Sequence, residues 1–258
     1  MRLILDEELA AKEFATLVKE KSNFCIITGA GVSTASGIPD FRGENGLYTV
    51  SEKNVFDLES FKKDPKSFYL FAKDFLKLLK QSKPNSAHFL IKKLEELEKV
   101  NWIITQNIDG LHKKAGSEKV IEVHGTFERF RCLNCGMEYP LDEVYKEIQN
   151  ENIPKCIKCG GILKPDVIFF GEKIAPNLIN QMISIAGQSD YCLVFGSSLI
   201  VHPVAKIPEC TLNNDGKLII INKGDTPYDE YAFKKFGVDI EEFSKLVLKN
   251  IKKKFFLF

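Results

Sequence analysis

The stretch FCIITGAGVSTASG, residues 24–37, places a short apolar run directly before a glycine turn. An uninterrupted apolar run of this length is typical of a strand buried on both faces of a parallel sheet. Similar runs follow at VNWIIT (100–105), VIEVH (120–124), DVIFFG (166–171), YCLVFGSSL (191–199) and KLIIIN (217–222). Helical periodicity occurs over residues 6–21, 54–81, 85–98, 176–187 and 239–254. The alternation predicts an α/β fold, a parallel sheet with helices on both faces.

The bulk composition sets limits on location and partners. The chain has 258 residues, of which 44% are hydrophobic, enough for a large domain with a smaller one attached. Its net charge is +1, so no overall field attracts it to nucleic acid. The start, MRLILDEELAAKEF, brings acids soon after the first apolar residues and lacks a signal peptide's apolar core. We expect a cytoplasmic, monomeric protein with no membrane span and no specific nucleic-acid partner.

Four of the seven cysteines have the spacing of a metal site: Cys132, Cys135, Cys156 and Cys159 form C-x2-C-x20-C-x2-C. Two such pairs suit one tetrahedral zinc ion in a reducing compartment. Four unrelated buried cysteines or a redox pair are the alternatives, and the paired spacing disfavours both. Because four thiolates fill the zinc coordination shell, we expect a structural metal and a catalytic site elsewhere.

The glycine turn at residues 29–31 suggests a dinucleotide site, since backbone amides after a strand can hold a pyrophosphate. The common G-x-G-x-x-G pattern would need glycine at the position of Thr34. Gly37, the next glycine, is followed closely by Pro39, which does not continue a helix smoothly. A plain dehydrogenase is therefore disfavoured, while NAD binding stays open.

Polar residues end two of the predicted strands. The segment 106–109, Gln-Asn-Ile-Asp, follows the strand 100–105, where sites in open parallel sheets lie. Its side chains suit ribose hydroxyls and a carboxamide, although a polar turn that caps a helix would have the same composition. His124 ends another strand, just before the cysteine block, and is a candidate general base.

These segments together resemble the sirtuin family of NAD-dependent protein lysine deacylases. The resemblance rests on residues 29–33, 36–43, 105–109, 124–125, 196–199 and 221–222 and on the four cysteines, in the family's order. It implies a Rossmann-like large domain, formed by residues 1–43, 85–128 and 166–258. It also implies a smaller domain with a helical module (44–84) and a zinc-ribbon-like module (129–165), and an active site in the cleft between the two.

The resemblance also implies roles for single residues. NAD would be held by Ala30, Thr34, Phe41, Arg42, Gln106, Ile108, Asp109, Ser197, Ser198, Asn222, Lys223 and Asp239. A substrate peptide would pair as an added strand with the segment that includes Val167, Phe169, Gly171 and Glu172. The implied catalytic residues are His124, as general base, and Asn107, at the nicotinamide ribose.

The implied activity is transfer of the acetyl group from acetyl-lysine in proteins or peptides to ADP-ribose, with release of nicotinamide. Family members that remove acidic acyl groups carry a Tyr-x-x-Arg pair, and our alignment puts Ala72 and Phe75 at those positions. A neutral acyl group, acetyl first, is therefore expected. The alternatives are a deacylase for longer chains, a mono-ADP-ribosyltransferase and a non-catalytic NAD-sensing module.

Overall fold

The predicted parallel sheet is present in a computed structural model, which describes residues 2–21, 23–40 and 55–255. Its strands are β1 (Arg2–Ile4), β2 (Phe24–Thr28), β3 (Val100–Thr105), β4 (Val120–Glu122), β8 (Tyr191–Phe195), β9 (Lys217–Ile221) and β10 (Lys234–Phe236). They lie in the order β1-β10-β9-β8-β2-β3-β4, and every neighbouring pair is parallel. From β2 the chain adds strands first on one side and later, from β8, on the other. Such a reversal opens a crevice at the carboxyl ends of β2 and β8.

Helices cover both faces of this sheet. Against one face pack α1 (Glu7–Glu20), α4 (Ser86–Glu96) and α9 (Ile240–Phe255), and against the other α7 (Pro176–Gly187) and α8 (Ile207–Leu212). Successive side chains of a strand point to opposite faces, so Ile26 belongs to the first core and Ile27 to the second. The α/β architecture predicted from the sequence is confirmed.

The aromatic segment 54–81 was expected to be one helical stretch and contains two helices. These are α2 (Leu58–Lys63) and α3 (Pro65–Gln81). Pro65 has no amide hydrogen and favours the first helical position, so the chain ends one helix at Asp64 and starts another. The Phe61 and Phe68 rings are 5.3 Å apart and almost fully buried, so they belong to a packed aromatic core.

A second, three-stranded sheet carries the cysteines. Its antiparallel strands are β5 (Gly125–Cys132), β6 (Glu138–Pro140) and β7 (Leu163–Val167), in the order β6-β5-β7, with α6 (Leu141–Gln149) beside them. The expectation that residues 166–171 form a strand of the parallel sheet is therefore wrong. Gly125, at φ 79°, turns the chain from β4 into β5, which lies beside β7 as its partner.

Among the residues that the structure describes, no helix combines the length and apolar character required to cross a bilayer. The helix α5 (Leu111–Lys114) completes the described α-helices.

Candidate active site and metal centre

A cleft of about 1050 Å³ lies at the carboxyl ends of the parallel strands. The turns after β2, β3, β8 and β9 form one part of its lining, and the segment 167–174, which follows β7, forms another. The cleft thus lies at the observed reversal of strand order, where α/β proteins bind their ligands.

Three glycines let the turns after β2 and β8 touch at the base of this cleft. The amide of Gly31 donates to the Gly196 carbonyl at 3.0 Å. A Cβ added to Gly29 would lie 2.7 Å from the same oxygen, and one added to Gly196 would lie 2.6 Å from the amide nitrogen of Val32. Contacts this short exclude any side chain, so glycine is required for backbone to approach backbone here.

His124 lines the cleft with one ring nitrogen already engaged. Its Nδ1 lies 3.1 Å from the backbone carbonyl of Gln106. Because a carbonyl only accepts, Nδ1 carries the hydrogen and Nε2 keeps its lone pair. Burial lowers the pKa of His124, and the hydrogen bond to Gln106 opposes part of that shift. The imidazole is therefore neutral at pH 7 and ready to accept a proton at Nε2.

Asn107 links the cleft to two buried side chains behind it. Its Nδ2 donates to Ser33 Oγ at 3.1 Å, and Ser33 Oγ donates to Asp109 Oδ2 at 2.7 Å. The other carboxylate oxygen of Asp109 accepts the amide of Leu111 at 2.8 Å. Burial raises the pKa of Asp109, and the hydrogen bonds from Leu111 and Ser33 oppose this. Asn107 is thus held in one orientation by groups that do not themselves line the cleft.

Further hydrogen bonds order the far end of the cleft. Ser197 Oγ donates to Gln106 Oε1 at 2.8 Å, which connects the turns after β8 and β3. Lys223 and Asp239 form an ion pair with 2.9 Å between Nζ and Oδ2. Polar groups of four separate segments therefore meet around one cleft.

The structure brings nearly all of the predicted site residues together. Those that line the cleft are Ala30, Thr34, Gln106, Asn107, Ile108, His124, Val167, Phe169, Gly171, Glu172, Ser197, Ser198, Asn222, Lys223 and Asp239. Asp109 is set back behind Ser33, and Phe41 and Arg42 lie outside the described residues. The sequence reasoning missed Ile168 and Phe56, which also line the cleft. Ile168 sits inside the predicted peptide-binding segment, whereas nothing in the sequence separates Phe56 from the other core aromatics.

The four predicted metal ligands converge in the second sheet. Their sulfur atoms all lie within 4.8 Å of one another. Cys132 and Cys159 have 3.5 Å between their Sγ atoms, and Cys135 and Cys156 have 3.6 Å. A tetrahedral zinc ion with bonds of about 2.3 Å needs sulfurs about 3.8 Å apart, so the cluster fits zinc.

The metal centre is joined to the cleft by one strand. β5 begins at Gly125, directly after His124, and ends at the metal ligand Cys132. Gly161 lies against the Cys132 sulfur, since a Cβ there would be 2.8 Å from it. Four thiolates complete the coordination shell, so the zinc site is structural.

Together the fold and the site define an α/β protein with a ligand cleft at a sheet reversal and a zinc module beside it. Comparison with known proteins refines this class. A profile described as the Sir2 family matches residues 29–203. The chain belongs to the Sir2 family.

Relatives cover almost the whole chain. An NAD-dependent protein deacetylase of Thermotoga maritima is 42% identical over 93% of this chain and 97% of the relative. One of Sulfolobus acidocaldarius is 43% identical over 93% of this chain and 95% of the relative. A solved Sir2 with p53 peptide and NAD+ superimposes with a TM-score of 0.86 at 41% identity, covering 93% of this chain and 97% of that one.

Proposed function

We infer that the chain is an NAD-dependent protein lysine deacetylase, which transfers the acetyl group of acetyl-lysine to ADP-ribose and releases nicotinamide. The observation that carries this function is that His124 and Asn107 lie in the same cleft as the glycine turns of a dinucleotide site. The names of the relatives and a solved Sir2 bound to acetylated peptide, with a TM-score of 0.85, support it.

NAD fits the cleft along its polar length. The turns after β2 and β8 line the part of the cleft where the pyrophosphate would lie, although the amides of Gly31 and Gly196 already donate to carbonyls of the chain itself. Ala30 and Thr34 would contact NAD at this turn, and Phe41 and Arg42 stay predicted contacts from the segment that follows. Ser197, Ser198, Asn222, Lys223 and Asp239 would hold the adenosine half.

The nicotinamide half would lie at the end of β3. Gln106 and Asn107 would hold the ribose, and Ile108 would line the nicotinamide pocket. Asp109 stays a predicted contact of the carboxamide, although its carboxylate accepts from Ser33 and Leu111 behind the cleft. When bound, NAD supplies the ribose carbon that receives the acyl oxygen and the nicotinamide that leaves. Asn107 would orient the ribose for this step, because the hydrogen bond to Ser33 fixes its side-chain amide.

His124 provides the general base. Its Nδ1 donates to the Gln106 carbonyl, which leaves the lone pair on Nε2. The neutral ring therefore accepts a proton from a ribose hydroxyl, so that the hydroxyl oxygen can attack the acyl carbon. The Gln106 carbonyl stabilises the protonated ring that results, since it continues to accept from Nδ1.

The peptide would pair along the segment that contains Val167, Phe169, Gly171 and Glu172. Phe56 and Ile108 add apolar lining nearby, which suits the aliphatic part of an acyl-lysine. Among the described residues that line the cleft there is no arginine to pair with an acidic acyl group, so acetyl fits better than succinyl. Ala72 and Phe75 are buried in the aromatic core.

Several other properties stay predictions. The division into a large domain (1–43, 85–128 and 166–258), a helical module (44–84) and a zinc module (129–165) stays a prediction. The core around the aromatic helices also includes Phe127 and Val167 of the predicted large domain. A cytoplasmic location and the lack of a specific nucleic-acid partner rest on the sequence's composition and charge, and the monomeric state stays an expectation.

The decisive experiment supplies an acetylated peptide with and without NAD. The proposal requires nicotinamide and O-acetyl-ADP-ribose in equal amounts, measured by mass spectrometry, and none with the unacetylated peptide. An ADP-ribosylated acceptor without acetyl transfer would instead identify a mono-ADP-ribosyltransferase.

A further inference from the structure

A lysine of the second sheet is buried inside the wall of the cleft. The side chain of Lys164, in β7, is only 6% exposed. Its Nζ donates to the carbonyl of Val167 at 2.6 Å and to that of Pro165 at 3.3 Å, and lies 2.8 Å from Glu172 Oε2. The same nitrogen lies 4.0 Å from the centre of the Phe169 ring. All of these partners belong to the short stretch between Lys164 and Glu172.

The burial of this ammonium group is compensated by its partners. An ammonium has three hydrogens to donate, and the two carbonyls and the carboxylate of Glu172 accept them. Burial lowers the pKa of Lys164, while the carboxylate of Glu172 opposes that shift. A buried ion pair is weak evidence for stability, because desolvation offsets the attraction of the charges. The arrangement is better explained by the conformation that Lys164 imposes on the residues around it.

That geometry concerns the segment 167–172. Glu172 Oε2 also accepts the amide of Phe169 at 2.6 Å, which closes the end of the segment into a turn. The amide of Ile168 donates to the His124 carbonyl at 2.9 Å, and that of Phe170 to the Phe56 carbonyl at 2.7 Å. The segment is therefore hydrogen-bonded to the backbone of His124 through Ile168 and to the backbone of the helical module through Phe170.

We propose that Lys164 is a positioning residue for the peptide substrate, because its ammonium fixes the Val167 carbonyl and the Glu172 carboxylate and so preforms the edge on which the peptide pairs. This inference rests on the proposed function and adds the residue that orders its peptide-binding segment. Lys164 does not line the cleft and does not act on the reacting atoms. It acts through Val167, Phe169 and Glu172.

The test compares Lys164→Met, which keeps the length of the side chain and removes the charge, with Lys164→Arg, which restores a cationic donor. Lys234→Met is the matched control. Lys234 is also a largely buried lysine in an ion pair, with Glu13 at 2.6 Å, but it lies away from the cleft. All variants are compared as full-length, zinc-loaded protein, with thermal unfolding as the measure of stability.

Steady-state kinetics separate positioning from a general structural role. Lys164→Met raises the KM for acetylated peptide about tenfold or more, as expected for the loss of a charge-assisted hydrogen bond. The KM for NAD and kcat change by less than about twofold, within the range of substitutions that remove no contact to the reacting atoms. Lys164→Arg recovers most of the peptide KM. Equal losses of kcat and of NAD affinity, or a peptide KM that matches Lys234→Met, would overturn the inference.

Amide exchange tests the same inference without turnover. In Lys164→Met, the amides of Ile168, Phe169 and Phe170 exchange about tenfold faster, while amides of the central strand β2 keep their rates. If these three amides are unaffected, Lys164 does not order the segment. If the wild-type chain instead fails to release nicotinamide, the proposed function fails while the exchange result still decides the role of Lys164 in the fold.

Discussion

Replacing His124 with alanine removes the group to which we assign the proton-transfer step. General bases contribute about 10²- to 10⁴-fold to a rate, so about 3 to 5 kcal/mol of transition-state stabilisation should be lost. Two of the other described histidines, His88 and His112, do not line the cleft. His88 is fully buried, with a pKa lowered to about 4 by burial, and His112 is buried and hydrogen-bonded to Thr28.

The pH dependence follows from the direction of the His124 pKa. The base acts when unprotonated, and burial lowers its pKa below the ordinary value of about 6.5. Activity is therefore complete above that value and falls as the pH decreases through the lowered pKa. In His124→Ala this acidic limb disappears along with most of the rate.

The assay measures O-acetyl-ADP-ribose by mass spectrometry from pH 5 to 8, with saturating NAD and acetylated peptide. His202→Ala is the control, because His202 also lines the cleft but has no assigned part in the reaction. His202→Ala keeps the wild-type rate and acidic limb. If His124→Ala forms this product at the wild-type rate, or keeps the same acidic limb, the assignment of the base is wrong.

Three further predictions concern stability, the metal and specificity. Gly125→Ala should destabilise the protein by about 2 to 4 kcal/mol in urea unfolding, because the added Cβ would lie 1.9 Å from the Asp166 carbonyl oxygen. Gly116 is the control, since it has a similar positive φ but only side-chain atoms nearby, and Gly116→Ala should cost about 1 kcal/mol. Equal losses would contradict this reasoning. Removal of zinc by a chelator should abolish activity by unfolding the cysteine module, seen as fast amide exchange there, and a zinc-free chain that stays folded and fully active would refute it. Succinylated peptide should be turned over at least about tenfold less efficiently than acetylated peptide. Equal kcat/KM values would show that a cation does pair with the acyl carboxylate.

The sequence predicted the elements whose periodicity is long or uninterrupted. The strand 217–222 and the helix 176–187 agree with the structure within one residue. The strand β10 (Lys234–Phe236) has only three residues, too few for a period to emerge, and it was missed. The segment 166–171 was assigned to the wrong sheet because an apolar run gives no information about its partner strand.

For the site, the ordered motifs were enough to find residues on separate strands, such as His124 and Asn107, that meet in one cleft. The hydrogen bonds that orient them were not predictable. That Ser33 connects Asn107 to Asp109 depends on a contact across more than seventy positions in the chain. Lys164 was missed for the same reason, since its charge gives no sign in the sequence that it is buried.

The most direct test of the account is the dependence of nicotinamide release on an acetylated lysine. Purified chain is incubated with NAD and either an acetylated or an unacetylated peptide of the same sequence, and nicotinamide, O-acetyl-ADP-ribose and free-lysine peptide are quantified together. The account predicts that the three products appear in a 1:1:1 ratio with the acetylated peptide and that none forms without it. Nicotinamide release that is independent of acetylation, or deacetylation that proceeds without NAD, would contradict it.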